Sequence, residues 1–131
     1  MTTRIRLFCL LIAALAFWAM LFPNTTQART LEEIKASGAI VVATRDYIPP
    51  IQYRDGSGNL VGIDPDLARE IAKKLGVTIT WKILEGPKYR VPVLENNEAD
   101  LVISSFSVTP DRLQKVSFSD AYFETGLAIM I

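Results

Sequence analysis

Apolar and polar positions change period several times along the chain, and each change marks an element. Leu67, Ile71 and Leu75 recur at four-residue spacing, with Ala68 and Ala72 beside them. That stripe predicts a helix opening at Asp64-Pro65-Asp66 and ending at Gly76, with Asp64 as its cap and Lys73 and Lys74 near the negative end of its dipole. Val77–Ile83 alternates strictly: Val77, Ile79, Trp81 and Ile83 share one face, which predicts a half-buried strand. Ala39–Thr44 (AIVVAT) is continuously apolar and β-branched, the pattern of a central parallel strand covered on both faces. A short helix capped by Thr30 and stopped at Gly38 precedes it. Ile51–Arg54 and Asn59–Ile63 flank Asp55-Gly56-Ser57-Gly58 as a hairpin. Tyr89–Asn97 reads as a short helix with Val91, Val93 and Leu94 inward and Pro92 in its first turn. Leu101–Ser105 reads as a buried strand, Pro110–Lys115 as a helix capped by Thr109, Val116–Phe123 as irregular or extended, and Leu127–Ile131 as a last strand.

Strand, helix, strand, helix, strand is the order of an α/β fold with a mainly parallel sheet flanked by helices. Such sheets bind ligands beyond the carboxyl ends of their strands. Two polar segments fall there, Thr44–Tyr47 and Ser104–Arg112. The second, within LVISSFSVTPDR, joins Ser104, Ser105, Ser107 and Thr109 to a helix start and Arg112. Hydroxyl donors beside a guanidinium describe a pocket for a small anion, most simply a carboxylate.

The first residues stand apart from this pattern. Arg4 and Arg6 precede sixteen uncharged residues, Leu7–Phe22, and then a polar stretch ending at Ala28. This is the layout of a secretory signal peptide over residues 1–28, cleaved after Ala28. The remaining residues 29–131 hold no cysteine and no histidine, and their twelve basic and fourteen acidic residues leave a net charge of −2. Cys- or His-based metal sites and Ser-His or Cys-His catalysis are thereby excluded from that part. No basic stripe exists to neutralise phosphates, so nucleic acid is not an expected partner. No cofactor is expected.

Four segments, LEEIKASGAIVVATRDYIPP, YRDGSGNLVGIDPDLAREIAKKLGV, YRVPVLENNEADLVISSFSVTPDR and VSFSDAYF, occur in an order and spacing that resembles the extracytoplasmic solute-binding proteins of family 3. These are the polar amino-acid receptors of ABC importers. The resemblance implies a type II periplasmic-binding-protein-like lobe over residues 29–131, truncated before the second lobe. It further implies that Arg112 grips a ligand carboxylate, with Ser105 and Ser107 helping. Tyr47 and Ile48 fall at the wall after the first strand, where the family's aromatic-Pro-Pro-Phe is replaced by Ile48-Pro49-Pro50-Ile51. Arg90 falls where relatives that bind acidic amino acids carry an arginine facing the side chain. The acid that holds the ligand's ammonium belongs to the second lobe, so weak or undetectable binding is expected of residues 29–131 alone.

The function that follows is non-catalytic: extracytoplasmic binding of a polar or acidic amino acid for delivery to an ABC transporter permease. Two alternatives use the same fold. One is a cyclic-carboxylate dehydratase, for which Asp46 and Glu85 are the candidate acids; the other is the periplasmic sensing module of a signalling receptor. Ser104 is expected to be structural, Thr109 a plain cap, and Trp81 part of the core.

Overall fold

A computed structural model describes residues 28–124 and 126. The expected signal peptide and the expected strand Leu127–Ile131 lie outside these residues, residue 28 excepted. Helix α1 (Leu31–Ser37) begins at a capping box: the Thr30 hydroxyl accepts from the Glu33 amide while the Glu33 carboxylate accepts from the Thr30 amide. It ends at Gly38 in the left-handed region, φ 70°. Strand β1 (Ala39–Thr44) follows directly and runs between β5 (Thr78–Ile83) and β6 (Leu101–Val102), parallel to both.

The two faces of β1 account for its unbroken apolar run. Ile40 and Val42 pack with Ile34 of α1, with Ile103, and with Ala68 and Ala72 of α2 (Ile63–Leu75). Ala43 packs on the other side with Leu84, Ala99 and Val93 of α3 (Arg90–Glu95). Val42 and Ala43 are essentially sealed from solvent, and each such side chain contributes roughly 1–3 kcal/mol of apolar burial. Strand β5 lies at the edge and shows the alternation its sequence predicts. Trp81 belongs to the core on the α2 side, under the Arg69 guanidinium at 5.8 Å, as expected.

A second, antiparallel sheet orders β2 (Tyr47–Ile48), β3 (Gln52–Arg54) and β4 (Leu60–Val61). The predicted hairpin is β3–β4, and its turn is held by Asp55, whose carboxylate accepts from the Ser57 and Asn59 amides. β2 was hidden in sequence because Pro49 and Pro50 make its segment read as a loop. The Asp46–Arg54 ion pair, 2.7 Å, fastens it to the hairpin.

Four sequence expectations change. The strand expected over Leu101–Ser105 is only Leu101–Val102, because Ser105 turns into the left-handed region and takes the chain out of the sheet. Asp64 does not cap α2: the cap position is Gly62 with no side-chain bond, and Asp64 turns inward instead. Gly62 sits at φ 119°, where an added Cβ would lie 2.5 Å from the Ile51 carbonyl oxygen. The segment Tyr89–Asn97 splits into a 3-10 turn, Pro87–Tyr89, and α3, and its buried face includes Arg90 as well as Val93. α4 is one turn, Pro110–Leu113, and Thr109 occupies its cap position without a hydroxyl bond; only the Thr109 carbonyl accepts, from the Arg112 and Leu113 amides.

Candidate functional site

The carboxyl ends of β1 and β6 open onto a cluster of polar side chains, which the backbone around Ser104–Ser107 organises. Beyond Ile103 the chain leaves the sheet, and Ser105 adopts φ 47°, a left-handed conformation uncommon for a residue with a Cβ. Two buried side chains hold it there. The Ser105 amide donates to Asp64 Oδ2 at 2.9 Å, and its hydroxyl donates to Gln52 Oε1 at 3.3 Å. Gln52 is fully buried on β3 and also meets the Ser104 hydroxyl, at 3.5 Å. Ser104 is sealed as well, and accepts from Arg45 Nε at 3.3 Å, so its expected structural role fits its surroundings.

Three guanidinium groups gather around this loop. Arg45, the first residue past β1, lies 5.4 Å from the Tyr47 ring centre. Arg112 donates to the Ser107 carbonyl at 2.7 Å and lies 4.7 Å from the centre of the Phe106 ring. Arg90 reaches the same ring from α3, at 5.3 Å, and Phe118 packs on it at 5.1 Å. Arg90 is only 6% exposed, and its Nε is one of two buried side-chain polar atoms left without a partner among the described residues. Burial first, and then the positive charges of Arg45 and Arg112, push its pKa down to about 10. It is therefore still charged at neutral pH, in a place that disfavours charge.

The buried acid that faces this cluster is Asp64, at 1% exposure. Its second oxygen accepts from the Tyr122 hydroxyl at 2.9 Å. Burial raises the Asp64 pKa above the ordinary carboxylate value, against the hydrogen bonds of Tyr122 and Ser105 and the charges of Arg45 and Arg90. The Tyr122 hydroxyl is raised in turn, by its own burial and by the carboxylate beside it. Three cations thus face one anion whose two oxygens are already engaged, and the local charge is positive. An added anion with two or more oxygen acceptors would relieve it. No grouping of acidic residues able to hold a metal ion occurs among the described residues.

Of the residues singled out in sequence, Arg90, Arg112 and Ser107 meet around Phe106, and Ser105 adjoins them through the loop. Tyr47 borders the cluster through Arg45 and is 54% exposed; Ile48 pairs with Gln52 in the antiparallel sheet. Asp46, a candidate acid for the dehydratase alternative, is bonded to Arg54 instead. Arg45, Gln52 and Phe106 were not singled out, and Asp64 was read only as a helix cap. Arg45 carried a usable signal, being a cation immediately after a predicted buried strand. Phe106 stood between the serines of the anion motif. Gln52 and Asp64 carried none, since their roles depend on contacts over forty residues away in sequence.

The glutamine-binding protein of Geobacillus stearothermophilus is 33% identical over 105 residues, covering 78% of this chain and 40% of that one. A solved structure, the arginine-bound form of domain 1 from TmArgBP, superposes with a TM-score of 0.66 at 38% identity, covering 70% of this chain and 71% of that one. The membrane-bound lytic murein transglycosylase F of Vibrio cholerae is 35% identical over 97 residues, which cover 71% of this chain but only 17% of that enzyme. The chain thus spans well under half the length of these full-length relatives. The sequence profile of the bacterial extracellular solute-binding proteins, family 3, matches residues 40–131. With this lobe architecture and that match, the chain belongs to the bacterial extracellular solute-binding proteins of family 3.

Proposed function

We propose that this lobe binds an acidic amino acid outside the cytoplasm, without catalysis, for delivery to an ABC-type permease. Amino-acid binding is supported by the glutamine- and arginine-binding relatives. The acidic preference rests on one observation: Arg45, Arg90 and Arg112 converge on a site whose buried carboxylate, Asp64, is already engaged. Arg112, with Ser105 and Ser107, would take one carboxylate of the ligand, and Arg90, whose Nε lacks a partner, the other. Arg45 adds charge from the β1 side. A ligand with a cationic side chain would meet Arg90 head on, and a neutral amide would leave the buried charge unpaired. Residues 1–28 would act as a leader that is removed after export.

A solved relative is an arginine-bound domain 1 by itself, which supports binding by a lone lobe. We therefore expect residues 29–131 to bind an acidic amino acid measurably, more strongly than half a site would suggest. A thermal-shift panel of the amino acids on this segment tests the reading. L-Glutamate or L-aspartate should raise the melting temperature most; a larger shift with L-arginine or L-lysine would refute it.

A further inference from the structure

We infer that Asp64 is a positioning residue of the anion site, acting through its two hydrogen bonds rather than through its charge. The inference rests on the binding site proposed above but not on which amino acid fills it. Asp64 stands in the first turn of α2, where an acid ordinarily faces solvent and the helix dipole. Here it is buried, and it joins two segments that are distant in sequence. Oδ2 accepts from the Ser105 amide, and Oδ1 accepts from the Tyr122 hydroxyl, each at 2.9 Å.

Each bond has a distinct consequence. The Ser105 amide bond fixes a residue at φ 47°, a conformation that a side chain disfavours and that would relax if the acceptor were lost. Ser105 sets the direction of the chain into Phe106 and Ser107, and therefore where the Phe106 ring meets Arg90 and Arg112 and where the Ser107 carbonyl meets Arg112. The Tyr122 bond ties the segment beyond α4 to the same carboxylate. Loop and outgoing segment are thus referenced to one side chain on a long helix, and the cation cluster is held in shape before any anion arrives. Gly62 lets α2 start tightly against the Ile51 carbonyl, and the Asp64 amide donates to that same carbonyl at 3.0 Å, which fixes the carboxylate's root.

Two measurements test this. In the unmutated protein, the Ser105 amide proton should move with pH at the midpoint of the Asp64 carboxyl carbon, both followed by NMR without ligand. The groups facing that carboxyl are the Ser105 amide, the Tyr122 hydroxyl, Arg45 and Arg90. A Ser105 amide signal indifferent to the Asp64 midpoint overturns the inference. The second measurement is calorimetric affinity for L-glutamate. Asp64→Ala, which leaves the Ser105 amide without an acceptor, should weaken binding by about tenfold. Asp64→Asn keeps an oxygen for the Ser105 amide and offers its amide group to the Tyr122 oxygen, so it should recover most of that loss. Equal weakening by Ala and Asn would show that charge matters rather than positioning, and unchanged affinity in Asp64→Ala would show that neither does. If the unmutated protein does not bind L-glutamate, the ligand reading falls, while the NMR midpoint still decides the role of Asp64.

Discussion

Replacing Arg90 by methionine should stabilise the free protein while weakening its ligand binding. The guanidinium is 6% exposed, has an unpartnered Nε, and sits beside two other cations, with its pKa lowered to about 10. A shift of that size corresponds to a penalty on the charged form of about 3 kcal/mol, to order of magnitude. The sign follows from linkage: at neutral pH the group lies below both its folded and unfolded pKa, so the folded state carries the whole penalty. Methionine fills similar volume and removes the charge, but forfeits the contact of a largely desolvated guanidinium with the Phe106 ring, worth about 1–2 kcal/mol. The net expectation is a gain of about 1–2 kcal/mol, or roughly 4–15 °C in melting temperature for a chain of this size. Thermal denaturation followed by circular dichroism at neutral pH, without ligand, reads it directly. A variant with a lower melting temperature would mean that Arg90 is already paired in the free protein, and the reasoning from an uncompensated cation would fail. The same variant should bind L-glutamate at least about tenfold more weakly, the loss of a charge-assisted pair, and that result would make Arg90 a place where stability is given up for recognition.

Other expectations follow from named contacts. Arg112→Ala should lower L-glutamate affinity by about tenfold or more in calorimetry; unchanged affinity would remove Arg112 from the site. Asp100 has a buried side chain and accepts from the Arg29 guanidinium and from the Val41 amide. Burial works against its ionised form, but the Arg29 and Val41 bonds outweigh that and hold its pKa below the usual value. Its contribution to stability is therefore present above the ordinary carboxylate range and lost as pH falls through the depressed folded value. Asp100→Ala should lower the neutral-pH stability by about 1–3 kcal/mol and flatten the melting temperature's dependence on acid; an unaltered acid limb would contradict this. Gly62→Ala should destabilise by more than about 1 kcal/mol in urea titration, because the new Cβ meets the Ile51 carbonyl oxygen at 2.5 Å in a left-handed backbone.

Much of the lobe was legible because its elements obey local rules. The four-residue apolar spacing of α2, the β-branched run of β1 and the alternation of β5 each had one interpretation. What escaped was decided by contacts between distant segments. Asp64-Pro65-Asp66 has the composition of a helix start, and Asp66 behaves accordingly, pairing with Arg69 at 2.7 Å. Asp64 is turned inward by donors on Ser105 and Tyr122, which no local pattern announces. Arg90 was placed only by the resemblance, since α3 is too short for its periodicity to place a single side chain. β2 is two residues long and pairs only because the hairpin folds back beside it. The serines and Arg112 stood out in sequence as a candidate anion motif, whereas the count of three guanidiniums required the fold.

The central claim is that this cluster selects a second negative charge on the ligand. Calorimetric titration of residues 29–131 with L-glutamate and with L-glutamine, near-isosteres that differ in that charge, compares the two directly. The account predicts that L-glutamate binds at least about tenfold more tightly, with the preference shrinking as salt is added. Equal affinities, or tighter binding of L-glutamine, would contradict it.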